Sequence, residues 1–375
     1  MGKSTKLKVG DWVEVLSKEE ILRTLDSKGQ LDGMPFMPEM FQYCGQKFQV
    51  HKRGHKSCDP DFFSRRIGAA VHFQTRCDGS AHGSCQAGCL LTWKDEWLKP
   101  AQPGASSSTQ LVKIESPASN GNSANASGCT EADVWANAKS PGPEGPETVY
   151  VCQTTQVPHA GKLLKWWDLR QYIEDYTSGN VTLWRLFKGF VYSSYYNLSN
   201  AGIGVGPAMR WFYDLACPLW RGSKWPRKVG TIPTGLPTPI ASLNLQPGEL
   251  VRVKSHEEIL KTVNVDYKNR GLHFDAEMVP YCGGSYKVLS SVTKAIDEKS
   301  GKMVKMKTPC IILDSVICQA QYSACRMFCP KSTWAYWREI WLERVDAQVH
   351  IHGNKTDRAG TEGTGTWAEK VISGS

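Results

Sequence analysis

Eight of the chain's 13 cysteines fall into two series of nearly equal spacing. Cys44, Cys77, Cys85 and Cys89 read C-x32-C-x7-C-x3-C; Cys282, Cys318, Cys325 and Cys329 read C-x35-C-x6-C-x3-C. Four thiolates delivered by separate elements suit tetrahedral Zn²⁺, with Zn–S bonds of about 2.3 Å. Such closed sites supply folding free energy, on the order of 10–16 kcal/mol in zinc-finger peptides. An iron–sulfur cluster also takes four cysteines. Cysteines that fill a core and paired disulfides are the competing readings. Core filler need not match four for four between diverged series, and MGKSTKLKVG lacks the apolar stretch of a signal peptide. One structural zinc per series is therefore the leading expectation. The x3 pairs would set two sulfurs one turn apart, if those segments are helical.

Other chemistry is sparse. Asp78-Gly79-Ser80 after Cys77 approaches the CDGSH iron–sulfur motif, but His82 is displaced by one position and no upstream C-x-C is present. His82 reads as an exposed loop histidine, with a fifth ligand as the alternative. Cys58, Cys129, Cys152, Cys217 and Cys310 have no counterparts and read as free thiols. The sequence holds no GxGxxG, Walker A, GxSxG or HExxH motif. Glu39 and Glu277 could act as acids, yet one glutamate per series beside Met and Phe reads as a structural hydrogen-bond partner.

The elements that must position these cysteines are duplicated. Gly10 to Val50 aligns with Gly248 to Val288 at a constant offset of 238 without a gap, and 17 of the 41 positions are identical. The copies rejoin at their ends, where Trp93 and Trp97 match Trp337 and Trp341. The two modules run 7–100 and 246–346. In each, Val13 and Val15 (Val251 and Val253) alternate with polar residues, as a half-buried strand does. Ser17 with Glu20, and Ser255 with Glu258, form capping boxes opening a short helix, Glu19 to Leu25 in the first copy. Strands are expected at Lys47–Val50 and over 69–76. This pattern predicts a mainly β fold with short helices: two duplicated small barrels resembling SH3-like or KOW-type modules, plus an aromatic helical middle segment.

Between the modules, 101–147 is rich in Ser, Gly, Ala, Asn and Pro and reads as a disordered linker; the tail 347–375 reads alike. Residues 148–232 are the reverse. From 148 to 245 the chain holds 16 of its 38 Phe, Trp and Tyr, with ten basic and four acidic residues, a net +6 of the chain's +9. A helix is expected over Asp168–Tyr176, stopped at Ser178-Gly179, and then an aromatic helix VTLWRLFKGFVYSSYYNL capped by Asn180. Three roles compete: packing between the modules, a basic aromatic helix at a membrane interface through 181–228, and nucleic-acid binding with bases stacked on aromatics. The modules are nearly neutral, which weakens the last.

At 41% hydrophobic and 22% charged, the composition excludes a wholly disordered chain, a collagen and a coiled coil. No apolar run reaches the length of a spanning helix, and a cytoplasmic location, peripheral at the inner face of the membrane if the middle binds lipid, is expected. The strings LDGMPFMPEMFQYCG, CDGSAHGSCQAGC, WWDLRQYIEDYTSGNV and CQAQYSACRMFCP together resemble an uncharacterised bacterial family of duplicated, Cys-rich proteins encoded near glycosyltransferase and other biosynthetic genes. The resemblance covers most of 7–346, omits the 101–147 linker and brings no catalytic residues. It implies an accessory role. The expected function is a zinc-binding accessory protein of a biosynthetic pathway, with an iron–sulfur or thiol redox enzyme as first alternative and a nucleic-acid-binding protein as second.

Overall fold

Val13 and Val15 point inward from the first strand, and the same two positions recur 238 residues later. The computed structural model describes residues 6–61, 63–103, 128–202, 204–220 and 224–345. In the first unit β1 (Trp12–Val15) leads into α1 (Lys18–Leu22). Ser17 accepts from the Glu20 amide at 3.3 Å, and Glu20 takes the Ser17 amide at 2.9 Å, so two orphan helix donors are satisfied reciprocally. The short pair β2 (Gln30–Leu31) and β3 (Met34–Pro35) follows, then a 3-10 turn over Pro38–Tyr43. Next come β4 (Lys47–Gln49), β5 (Lys52–Arg53), β6 (Lys56–Cys58), β7 (Ser64–Arg66), β8 (Ala70–Arg76), β9 (Leu90–Lys94) and β10 (Leu98–Pro100).

The connecting segment carries α2 (Glu131–Ala136), α3 (Gln153–Ala160), β11 (Lys162–Leu164), α4 (Arg170–Thr177), α5 (Leu183–Ser199) and α6 (Gly206–Ala216). The second unit repeats the opening order: β12 (Leu250–Val253), α7 (His256–Leu260), β13 (Lys268–Asn269), β14 (Leu272–His273) and a 3-10 turn over Ala276–Tyr281. It then departs, with the long strands β15 (Ser285–Ile296) and β16 (Met303–Ile317) before β17 (Trp334–Trp337) and β18 (Leu342–Arg344).

The molecule is thus mainly small antiparallel sheets with short helices, but none of the described sheets closes into a barrel. That corrects the expected SH3-like barrels. In the second unit five strands run β17-β16-β15-β12-β18, and β17 and β18 stay at opposite edges because a 3-10 turn, Glu339–Trp341, carries the chain across the core. Phe274, Trp337 and Trp341 fill that core with edge-to-face rings. In the first unit the sheet is split. Val50 bonds Gly10 and Asp11 on the β1 side, while the very next amide, His51, bonds His72 on β8. One line of chain therefore serves two sheets, β10-β1-β4 and β5-β8-β9. Matched tryptophans close both cores, and the Trp97 and Trp341 indoles donate to Thr24 and Thr262 at 3.1 and 2.9 Å.

Two expectations for the connection are also corrected. Within 101–147, the part at 128–147 is ordered: Thr130 caps α2, Val134 is buried over Gly29, and Glu131 pairs with Lys18 at 2.8 Å. Composition averaged over the stretch concealed one capped turn with a single buried valine. Residues 104–127 and the tail 347–375 lie outside the described residues. Asn180 does not cap the aromatic helix. Its side-chain amide instead bonds both backbone groups of Arg53, at 2.7 and 2.9 Å, and Thr182 caps α5. The stop at Ser178-Gly179 is as read, with Gly179 at φ +82° in the region glycine favours.

The two units exchange arms. The β15–β16 hairpin of the second reaches the Cys85 loop of the first, where Lys294 donates to the Gly83 carbonyl at 2.9 Å and Thr293 N–H to the Gln86 side chain at 2.7 Å. The β6–β7 hairpin of the first reaches the Cys329 loop of the second, where the Lys56 ammonium donates to the Met327 carbonyl at 2.9 Å. A cleft opens between the units at these exchanges.

Candidate functional site: a cysteine-lined cleft

Cys77 and Cys89 are adjacent because β8 and β9 pair: the Cys77 amide donates to the Cys89 carbonyl at 2.9 Å. The loop between them is wound on Gly79, at φ +73°, where an added Cβ would collide with the Cys85 backbone. His82 and Ser84 amides both bond the Gly79 carbonyl, and the tight coil returns Cys85 to its neighbours. The segment from Cys85 to Cys89 is not helical, and the 3-10 turn that holds Cys325, Ala324–Arg326, ends before Cys329. The one-turn geometry expected for the x3 pairs is therefore replaced by loops that place the sulfurs through tertiary packing.

Cys77, Cys85 and Cys89 line one cavity of about 30 Å³, and the fourth cysteine in its wall is Cys152. Cys152 stands at the N-cap of α3, its amide donating to Thr155 Oγ1 at 3.0 Å. The next residue, Gln153, locks that helix end to β9 through the Thr92 amide and carbonyl, at 2.8 and 2.7 Å. Ile296 of the second unit closes the wall, and its amide lies 3.3 Å from Cys85 Sγ. Cys44 is elsewhere. It follows the Pro38–Tyr43 turn, packs against its own core, and burial pushes its thiol up to about 11. Cys282 repeats this against the second core, pushed up to about 12.

Burial likewise raises three thiols of the cavity, those of Cys77, Cys89 and Cys152. Cys89 reaches about 12, with Glu298 adding to the effect. Cys77 is pushed up by burial and then by Glu39; Cys152 rises by burial against the opposing hydrogen bonds of Thr155 and Thr154. Thiols so placed are protonated near neutral pH and are weak nucleophiles. A bound cation would supply the positive charge that the cavity lacks and release those protons.

Beside the cavity, Glu39, Cys77 and His82 bring ligand atoms within 4.8 Å of one another, the sole such group of three or more among the described residues. Zn–S bonds of about 2.3 Å imply sulfurs roughly 3.8 Å apart, so neither matched quartet stands at single-ion spacing, and the sulfurs of Cys77, Cys85, Cys89 and Cys152 would have to draw together to share one ion. His82 is buried rather than exposed, a correction. Its Nδ1 meets Glu39 Oε1 at 2.6 Å and its Nε2 meets the Val151 carbonyl at 3.1 Å. Glu39 also takes the Ala81 amide, and its Oε2 is buried without a hydrogen-bond partner. Burial pushes the Glu39 carboxyl up, but the hydrogen bond and charge of His82 outweigh it and hold the carboxyl below its usual value. In the second unit Glu277 accepts from the Gln321 and Tyr322 amides at 3.0 and 2.5 Å. Both glutamates anchor the loop after a long strand, which is the structural role read from the sequence.

The second series is assembled differently. Cys329 is buried and Cys325 is exposed. The residue brought to Cys329 is Cys58, whose amide lies 3.2 Å from the Cys329 sulfur. The Cys329 thiol also bonds the Cys58 sulfur; this holds the Cys58 thiol below its usual value against burial, with Lys331 and Arg326 assisting. Cys58, Cys85, Cys89 and Cys152 together line the inter-unit cleft of about 580 Å³, along with Glu298, Lys331 and Tyr336. Cys58 and Cys152 were read as unrelated free thiols; their places come from contacts across the chain that no repeat encodes. All described cysteines are free of disulfides. No protein-family model, no curated protein and no solved structure matches this chain.

Proposed function

We propose that the chain is a metal-thiolate protein whose centre is formed by Cys77, Cys85, Cys89 and Cys152. One observation carries the reading: four cysteines, three from the β8–β9 connection and one from the start of α3, line a single small cavity of about 30 Å³. Such a space favours one soft cation, and Zn²⁺ is the first choice for an all-thiolate set. The accessory role implied by the family resemblance belongs to this reading, the metal fixing the loop between β8 and β9 to the start of α3.

The first alternative keeps a specific observation in its favour. The Cys58 amide donates to the Cys329 sulfur at 3.2 Å, which brings the two thiols together near Lys331 and Arg326. A dithiol of that kind can lose two electrons and two protons to an oxidant and close a disulfide.

Serine replacement separates these readings, because its hydroxyl stays protonated and is a poor ligand. Cys89→Ser and Cys152→Ser are expected to lose bound metal while Cys44→Ser and Cys282→Ser retain it, as read by elemental analysis of protein whose fold is checked by circular dichroism. Loss in Cys44→Ser with retention in Cys152→Ser would return the ligand set to the eight matched cysteines. A metal-free wild type whose mild oxidation yields one Cys58–Cys329 disulfide in peptide mapping would favour the dithiol.

A further inference from the structure

We infer that α4, α5 and α6 form a docking surface for an anionic phospholipid membrane. At 100° per residue, each helix divides into two faces. On α5 the inner face carries Gly189, Tyr192 and Tyr196. Gly189 lies so close to Phe328 that a Cβ there would clash, and Tyr192 packs on Tyr322 and Trp225. The opposite face presents Trp184, Phe187, Val191 and Leu198, with Trp184 59% exposed. On α6, Tyr213 packs inward on Trp225, while Trp211, Phe212 and Leu215 face out, Trp211 at 67%. On α4, Tyr172 and Asp175 are buried and Leu169, Ile173 and Tyr176 are exposed. Trp166 and Trp167, just before it, are exposed as well.

Isolated exposed apolar residues are ordinary, but a contiguous series of this size marks an interaction surface. The helices pack against one another, α4 on α5 and α5 on α6, and among the exposed rings Trp166 meets Trp167 edge-on and Trp184 stacks on Phe187. Charge selects the occupant. Between 162 and 220 every acid is neutralised: Asp168 by Arg170, Glu174 by Arg66, Asp175 by Lys56 and Asp214 by Lys228. Lys162, Lys165 and Lys188 have no acidic partner among the described residues, and two of them lie over tryptophans, Lys165 on Trp167 and Lys188 on Trp184. Unpaired lysines among outward tryptophans complement an anionic headgroup layer, in which the rings enter the interface and the ammoniums meet phosphate. No described helix is long and apolar enough to cross a membrane, so the surface would lie on the bilayer.

The test uses the full chain with vesicles of phosphatidylglycerol and of phosphatidylcholine. Co-sedimentation with the anionic vesicles, a blue shift of tryptophan emission and weakening by salt are expected. The double variant Trp184→Glu/Phe187→Glu alters only outward side chains and should bind about tenfold more weakly or worse, with an unchanged circular dichroism spectrum. A folded wild type that binds neither vesicle at low salt overturns the inference. So does a concentration-dependent dimer, dissociated by the same variant and indifferent to lipid, which would assign the face to a second copy of the chain.

Discussion

Glu39 shows how one side chain supports the cysteine loop. Its carboxylate gathers the Ala81 amide and the His82 ring, and its pKa lies below the ordinary value of about 4.5. A depressed carboxyl contributes stability that is present above its unfolded value and lost as pH falls through the folded one. Glu39→Gln turns an amide group toward existing donors and should cost about 1–3 kcal/mol at neutral pH. Urea melts should show that difference shrinking as the pH falls below the ordinary glutamate value and through the lowered folded one. A difference independent of pH would show that the carboxylate's charge is not what holds the loop. At this scale the sequence was partly legible. Matched positions identified Glu39, Glu277 and eight cysteines, because duplication keeps what both units need internally. It could not reveal Cys58 and Cys152, which serve the contact between units and so have no duplicate. It misassigned His82, whose burial depends on Glu39, 43 positions away.

The elements of the connecting segment are held by one buried ion pair. Lys56 on β6 and Asp175 on α4 are 2.6 Å apart and fully buried; Lys56 also donates to Gln171 and to the Met327 carbonyl. A single ammonium thus ties the first unit, α4 and the Cys329 loop. Burial lowers the Lys56 pKa and raises that of Asp175 to about 6, each opposed by the other's charge. Removing one partner strands the other, so Lys56→Met should destabilise the protein by about 3–5 kcal/mol. Lys56→Met combined with Asp175→Leu should recover much of that loss, and denaturant titration of the three variants measures it. Helix α4 and its glycine stop were readable from local signals. Local chemistry misled at Asn180, which has the right residue type for a cap but is engaged by the Arg53 backbone. The capped turn of α2 was lost in the composition of its surroundings.

Across the whole molecule, duplication sets the two cores and divergence builds the site. Equivalent valines and tryptophans fill both interiors, which is why the repeat alone located them. The units then differ where they meet: β15 and β16 extend as one arm, and the first unit breaks its strand at Val50 to send out β6 and β7. Arm exchange is a long-range arrangement with no periodicity to betray it. Beside the cleft it creates, a small cavity gathers Cys77, Cys85, Cys89 and Cys152, and a thiolate-bound metal there is the central claim. The direct measurement is X-ray absorption with elemental analysis on wild-type protein purified without oxygen. The account predicts bound metal with an all-sulfur first shell: a colourless zinc protein, or absorption near ~400 nm if iron–sulfur occupies the site. Protein that stays metal-free after incubation with zinc, with the Cys77, Cys85, Cys89 and Cys152 thiols all open to alkylation, would contradict it.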